Sequence, residues 1–352
     1  PSLPGYPRSE HNYAWHMESR NKRSLALDLA KPEAQAVLQR LVAGADVFIT
    51  NFPPTVRKKL GLTYEKLAPL NERLIYASFT GYGEKGEEAD KPGFDSNAYW
   101  ARSGLMDLVR ADESTTPARS IPGMGDHPCA MAFYGAIVTA LYQRERTGKG
   151  AHVSSNLMAN GMWAASVLAQ AKLCGATFAE RRPRERALNA VANHYRCQDG
   201  RWIMLSLLNE EKQFPILARC LGRDDLIDDT RFATKAGRHA HSVELIHEFD
   251  AVFATRPLAE WRKILDGNGL VFGVIGILDD IPTDKQMIEN EVLVPFENDT
   301  MLTVNSPIWI DGYRKVQPRK PPGVGQHSEE VLRDAGFDDT TIKDLRERGA
   351  VA

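Results

Sequence analysis

The sequence predicts an α/β protein of two domains, and three observations carry that prediction. Between Ser24 and Thr80 short apolar runs alternate with an amphipathic helical stretch. A loop region rich in Gly and Pro then leads into two long helical segments. Beyond residue 186 a hairpin pattern is followed by further helices. Strand, helix and strand in this rhythm describe a parallel sheet with helical crossovers.

The elements follow in chain order. SLALDL (24–29) and DVFIT (46–50) read as short strands, and PEAQAVLQRLVAGA (32–45) between them as a helix opened by Pro32. LIYASFT (74–80) reads as a third strand after the helical KLAPLN. In an open parallel sheet, ligands bind beyond the carboxyl ends of the strands, so the candidate loops are Asn51-Phe52-Pro53-Pro54 and Gly81-Tyr82-Gly83. A helix is predicted from about Pro128 to Arg146, stopped by Thr147-Gly148-Lys149-Gly150, and a second long one over about 155–175. RRPRER (181–186) reads as a solvated linker. HYRC-QDG-RWIMLSLL then reads as a β-hairpin around Asp199-Gly200, followed by helices near 209–221, 241–255 and 257–266. The end of the chain predicts two polar-faced helices, the first capped by Ser328.

Composition excludes several classes. The 352 residues are 43% apolar and carry a formal charge of −2 with the signs mixed, which is not the basic field that nucleic-acid binding needs. Cys129, Cys174, Cys197 and Cys220 lie far apart without a CxxC pair. That spacing argues against a zinc site or a disulfide framework and fits a reducing cytoplasm. The first residues have no apolar h-region, so no secretory signal is expected. The longest apolar stretch, Leu157 to Leu173, carries Asn160, Gln170 and Lys172 and reads as a buried helix, not a membrane span.

Among the motifs, GYGEKG (81–86) matches G-x-G-x-x-G after a strand, but it leads into a loop where a dinucleotide fingerprint must open a helix. It therefore reads as a turn that needs glycine. Gly125-Asp126-His127-Pro128 precedes a helix, and a plain N-cap role is enough for Asp126. Helix-end amides would also depress the pKa of that carboxyl and keep it ionised, as a carboxylate nucleophile requires, and the two readings are compatible. Asn21-Lys22-Arg23, Arg57-Lys58-Lys59 and Lys149 are candidates for phosphate contacts, each alone more often a solvated charge. His194 and His327 lack metal-ligand spacing and read as packing or capping residues. GxSxG, HExxH and P-loop motifs do not occur.

NKRSLALDL (21–29), ADVFITNFPP (45–54), LGLTYEKLAPLNERLIYASFTGYG (60–83), Gly93-Phe94-Asp95, Gly125-Asp126, RERTGKG (144–150) and GQHSEEVL (325–332) stand in one register along nearly the whole chain. In that register the sequence resembles the class III CoA-transferases, the CaiB/BaiF family that includes formyl-CoA transferase. The resemblance implies an α/β fold: a Rossmann-like large domain built from both ends of the chain, a small α+β domain, and a homodimer of two interlinked rings. It divides the chain into a large CoA-binding domain (1–185), a small domain (186–295) and a C-terminal part (296–352) that returns to the large domain. It also implies a cytoplasmic enzyme that takes coenzyme A thioesters as substrates, exchanges them with a small carboxylic acid, and has no permanently bound cofactor and no nucleic-acid or membrane partner.

Residue by residue, the resemblance assigns catalysis to Asp126. It assigns CoA contacts to Leu27, Asn51, Phe52, Lys59, Phe94 and Asp95. Three departures accompany it. Pro92 stands where formyl-CoA transferase has a lysine, the family's opening segment with its AGP turn and CoA-binding arginine is not found before Pro1, and no glycine-rich loop occurs between Arg181 and Tyr195, which puts oxalate specificity in doubt. Two other readings stay open. A 2-methylacyl-CoA racemase of the same fold uses a histidine in Gly-His-Asp, but position 94 holds a phenylalanine, which cannot shuttle protons. A non-catalytic CoA-binding subunit would be favoured if Asp126 were absent.

Overall fold

The computed structural model describes residues 6–352; residues 1–5, the start of the stretch read for a secretory signal, lie outside the described residues. The chain is a mixed α/β fold that forms two compact units. Unit 1 comprises the chain up to Leu105 together with Arg119–Ala169 and Pro282–Ala352, and unit 2 comprises Met106–Ala118 and Gln170–Ile281.

In chain order the first elements are α1 (Tyr13–Glu18), α2 (Pro32–Ala43), β1 (Val47–Thr50), α3 (Pro54–Lys59), α4 (Tyr64–Leu67) and β2 (Ile75–Thr80). A π-helix (Asp95–Ala101), α5 (Leu105–Leu108), α6 (Asp126–Thr147), β3 (Ala151–Asn156), α7 (Leu157–Ala164) and α8 (Ser166–Leu173) follow. Next come β4 (His194–Arg196), β5 (Trp202–Leu205), α9 (Glu210–Cys220), α10 (Asp225–Asp228), α11 (Lys235–Ala240), α12 (Ser242–Phe253), α13 (Leu258–Gly267) and β6 (Phe272–Val274). The chain ends with α14 (Lys285–Glu289), the hairpin β7 (Leu293–Pro295) and β8 (Leu302–Val304), α15 (Ser328–Asp334) and α16 (Asp339–Glu347).

The sheet of unit 1 is parallel with the order β1-β2-β3, so two of the three expected strands are present and the third is a different one. SLALDL is extended but forms a single bridge, Leu27 to Val351. Its backbone is taken up by the C-terminal end: Asp28 N–H donates to Ala350 O at 3.0 Å and Ala352 N–H to Ala26 O at 3.2 Å. The third strand is AHVSSN, whose polar residues gave no apolar run to read. It is admitted beside β2 because Gly150, just before it, has no Cβ: one built there would run into the Leu74 carbonyl.

Helix α6 covers one face of this sheet through Phe133 and Ile137, which pack with Ala77 on β2 and with Val47, Phe79 and Val153. It stops where Gly148 adopts φ 73° and donates its N–H to Arg144 O at 2.8 Å. The expected long helix over 155–175 is two helices, α7 and α8, broken at Ala165. On α2, Ala34 and Val37 pack with Leu332, Ile342, Leu345 and Val351 from the C-terminal segment. Ser328 is not the cap of α15. That position belongs to His327, while Ser328 is buried and its hydroxyl accepts the N–H of Ala26 at 3.4 Å.

Unit 2 contains the expected hairpin, β4 antiparallel to β5, with Gly200 at φ 80° in its turn and β6 on the other side of β5. Its core is aromatic: Tyr195 stacks on Phe253 with ring centroids 5.0 Å apart, and Trp261 Nε1 donates to Phe253 O at 2.9 Å. The RRPRER stretch is more than a solvated linker. Arg184 lies over the rings of Tyr195 and Trp202 and pairs with Asp250, and Arg181 pairs with Asp107 at 2.8 Å. Fixed partners within the unit hold these cations, which composition alone does not reveal.

Candidate active site

Parallel pairing puts the carboxyl ends of all three strands on one edge. The register sets Thr50 beside Ser78 and Thr80 beside Asn156, so Asn51-Phe52, Gly81-Tyr82-Gly83 and the start of α7 leave the sheet on the same side. Asn156 caps α7 by accepting the N–H of Ala159 at 2.8 Å, and Met158 N–H donates to Gly81 O at 3.0 Å. Gly81 and Gly93 meet face to face, because a Cβ on Gly81 would lie 3.1 Å from the Gly93 Cα. This contact returns the loop 81–93 to the strand edge and releases Phe94-Asp95 into the π-helix.

The π-helix is the local surprise. Arg102 N–H donates five residues back, to Asn97 O at 3.1 Å, and Asn97 Oδ1 accepts the N–H of Phe94 at 2.7 Å. Such single-turn π segments recur at functional sites. Ala98, Tyr99 and Trp100 are buried in it, Asp95 is 8% exposed and Phe94 is 74% exposed. Two glycines admit it. A Cβ on Gly125 would lie 2.8 Å from Asp95 Cβ and 2.9 Å from Tyr99 Cγ, and one on Gly161 of α7 would collide with the Tyr99 carbonyl.

Asp126 is the first residue of α6, and the cap position belongs to Gly125. The expectation of a capping aspartate with a depressed pKa is therefore wrong on both counts. A cap side chain turns back onto the helix amides, whereas a first-turn residue leaves its carboxyl outside them. No hydrogen bond acts on the Asp126 carboxyl among the described residues. Burial first, then the neighbouring Asp95 and Glu18 carboxylates, push its pKa above the ordinary aspartate range, against a downward pull from His127. Cys129 lies one turn along in the same surroundings. Burial, Asp126 and Asp95 push its thiol up to about 12, so it stays protonated.

The structure thus brings Asp95 and Asp126 together and leaves Phe94 exposed beside them. The remaining candidates occupy other parts of unit 1. Asn51 and Phe52 follow β1, both exposed, with Phe52 N–H donating to Thr50 Oγ1 at 3.3 Å. Lys59, exposed at the end of α3, lines a groove of about 670 Å³ with Lys58, Lys66, Leu29 and Ala30. Leu27, half-buried, precedes that groove in the chain. Of the cationic clusters, Arg57 is not available to a ligand: it is 5% exposed and pairs with Glu84 at 2.6 Å. Arg23 is committed to Glu330 and Asp334.

Glu18 at the end of α1 and His127, 3.7 Å from it, act on Asp126, while Tyr99 packs against the adjacent Gly125; none of the three was singled out from the sequence. His127 adjoins the aspartate and could have been found from that alone. Glu18 and Tyr99 are distant in the chain and carry no motif. Among the described residues no group of three or more His, Cys, Asp or Glu could hold a metal ion, and no helix is long and apolar enough to cross a membrane.

Comparison with known proteins identifies the family. The family model of CoA-transferase family III matches residues 2–328. The (R)-2-hydroxy-4-methylpentanoate CoA-transferase of Clostridioides difficile is 29% identical over 349 residues, covering 97% of this chain and 86% of that protein. The succinyl-CoA:glutarate CoA-transferase of Mus musculus is 28% identical over 352 residues, covering 99% and 80%. Among solved structures, a CaiB/BaiF family protein from Brucella suis superposes with a TM-score of 0.82 at 26% identity, covering 91% of this chain and 83% of that one.

Proposed function

Because the chain belongs to CoA-transferase family III and is an enzyme of the CoA-transferase type, we propose that it exchanges coenzyme A between an acyl-CoA donor and a carboxylic acid acceptor, with Asp126 as the nucleophile. One observation carries the assignment of the nucleophile: Asp126 opens α6 with a carboxylate that no hydrogen bond engages among the described residues, beside the buried Asp95. A carboxyl held in this way has no hydrogen-bond partner to release before it attacks.

In this mechanism a carboxylate oxygen of Asp126 attacks the thioester carbonyl carbon. The C–S bond breaks, and a mixed anhydride and the CoA thiolate result. The thiolate attacks the aspartyl carbonyl, releasing the donor acid and leaving an aspartyl-CoA thioester. The acceptor carboxylate attacks that thioester and again expels the thiolate, which then takes the new acyl group and returns Asp126 to a carboxylate. The thioester broken in the donor is replaced by one formed in the product, so the overall exchange conserves thioester energy and no ATP is consumed. The first amides of α6 stabilise the developing oxyanions in this reading. In this reading Leu27, Asn51, Phe52, Lys59, Phe94 and Asp95 hold the coenzyme, and Lys58, Lys59 and Lys66 give their groove a charge suited to phosphate.

Unit 1 is read as the Rossmann-like, CoA-binding domain and the working form as an interlinked homodimer. Large exposed side chains support the dimer: Trp163 is 80% exposed, and Val167, Trp309, Tyr313, Val316 and Val324 are exposed as well, side chains of the kind that line protein interfaces. Dilution in analytical ultracentrifugation should give no monomer in native buffer. The four cysteines are free, in keeping with a cytoplasmic enzyme.

The test is covalent. Hydroxylamine added during turnover should convert Asp126 to its hydroxamate, and Asp126→Ala should abolish transfer from succinyl-CoA or acetyl-CoA to a panel of 2-hydroxy and dicarboxylic acids. Near-normal turnover by the Asp126→Ala variant would refute the mechanism.

A further inference from the structure

A polar cluster that the transfer chemistry leaves unused lies on one face of the β1-β2-β3 sheet. Tyr76 and Ser78 are two residues apart on β2 and so share a face, and Tyr76 is in register with His152 on β3. Ser78 Oγ lies 2.8 Å from His152 Nε2, and the rings of Tyr76 and Tyr64 pack against the imidazole. Glu84, from the loop after β2, brings Oε2 to 3.8 Å from the same Nε2. Arg57 of α3 completes the cluster: it donates to Glu84 Oε1 at 2.6 Å and to Tyr76 Oη at 3.4 Å, while Tyr76 Oη donates to Leu62 O at 2.6 Å.

Serine, histidine and glutamate in contact suggest a hydrolytic triad, but the geometry rejects it. Ser78 is fully buried, and both Ser78 and Glu84 approach the same imidazole nitrogen, whereas a triad uses opposite ones. What the cluster does have is a nearly buried ion pair that bridges two segments. Burying such a pair costs desolvation and is weak evidence for stability, so its placement asks for another reason. Helix α3 directly follows Asn51-Phe52 and ends on Lys59; the loop bearing Glu84 runs on to Phe94-Asp95. A second bond joins the same two segments, Thr55 N–H to Asp90 Oδ1 at 2.8 Å.

We propose that Arg57 and Glu84 are positioning residues, a buried clasp that holds the Asn51–Lys59 segment and the Phe94-Asp95 segment in one geometry for the acyl-CoA. This rests on the CoA-transfer reading above. The clasp touches no reacting atom and acts through the residues at its two ends. The electrostatics agree: burial opposes the Glu84 charge, yet hydrogen bonds from Ser78 and Arg57 hold its carboxyl below the ordinary glutamate range, so the pair stays charged.

The experiment compares the wild-type protein with Arg57→Met, Glu84→Gln, the double variant and Arg57→Lys. It measures CoA affinity by calorimetry, KM and kcat with one acyl-CoA, and Tm. Each single charge-removing variant should lower Tm and weaken CoA binding about tenfold, with a matching rise in KM and an unchanged kcat at saturation. The double variant leaves no charge buried, so it should regain Tm but not affinity. Arg57→Lys should recover part of the affinity. A double variant that regains both, or single variants that lose Tm with unaltered CoA binding, would reduce the pair to a structural contact and overturn the proposal. A wild-type protein that binds no CoA would instead overturn the transferase reading on which it stands.

Discussion

Asp95, buried in the π-helix, accepts the backbone N–H of Gly125 at 3.2 Å. The bond joins two points 30 residues apart and holds Gly125, the residue immediately before Asp126. The carboxylate that the sequence suggests as a coenzyme contact therefore also sets where the proposed nucleophile begins its helix, and raises the pKa of that nucleophile from close by.

Gly125→Ala tests this contact. The new Cβ would meet Asp95 Cβ at 2.8 Å and the Tyr99 ring at 2.9 Å, and both belong to a packed segment that cannot yield cheaply. Overpacking of this kind costs about 1–3 kcal/mol, and the displaced Asp126 should lose on the order of 100-fold in kcat/KM. Thermal melts and steady-state kinetics on the same variant check both.

Asp95→Asn keeps the shape and an acceptor oxygen but removes a negative charge. Asp126 must be ionised to attack, so the acid limb of kcat/KM reports its pKa in the free enzyme. In the wild type that limb should lie above the ordinary aspartate value; in Asp95→Asn it should move to lower pH, though not all the way, because burial, the largest cause of the shift, remains. A limb that stays in place would show that Asp95 exerts no field on the nucleophile.

Asp126→Asn should abolish transfer without harming the fold. The folded-state pKa of Asp126 is raised, so its contribution favours folding below the unfolded-state pKa and is lost as pH rises through the folded value. Compared with the wild type, the variant should therefore melt relatively higher at pH 7 than at pH 3.5. Asp126 is not a cap, so the loss of about 1 kcal/mol that follows removal of a capping side chain should not appear.

Gly161→Ala probes the π-helix from the other side. Its Cβ would run into the Tyr99 carbonyl and come within 3.0 Å of Ser103 Cβ, so Tm should fall and activity with it. Unchanged activity in a destabilised variant would mean that the π-helix can shift without disturbing Asp126.

Phe94 separates transferase from racemase. It is 74% exposed, so Phe94→Ala should change stability by less than about 0.5 kcal/mol while raising KM for the acyl-CoA. A chiral 2-methylacyl-CoA incubated with the wild type in deuterated water should exchange no α-proton, while label passes from free acid to CoA ester. Exchange without transfer would reverse the assignment.

The sequence by itself determined the mixed α/β class, two of the three strands in the parallel sheet, the long helix read from about Pro128, and the family, because these rest on local periodicity, on glycine turns and on motifs in a fixed register. Tertiary structure decided the rest. AHVSSN becomes a strand, though polar, because β2 offers it an open edge, whereas SLALDL stays a single bridge because the C-terminal end takes up its backbone. The π-helix forms where Gly125 and Gly161 leave room for it. Arg57 reads as a solvated cation in the sequence and is an internal ion-pair partner in the fold. The pKa of Asp126 moves in the opposite direction to the one its place at a helix start suggests, because the fold buries it and because Asp95 and Glu18 reach it across 31 and 108 residues of chain. Burial and charge act through space, and only the folded chain sets those distances.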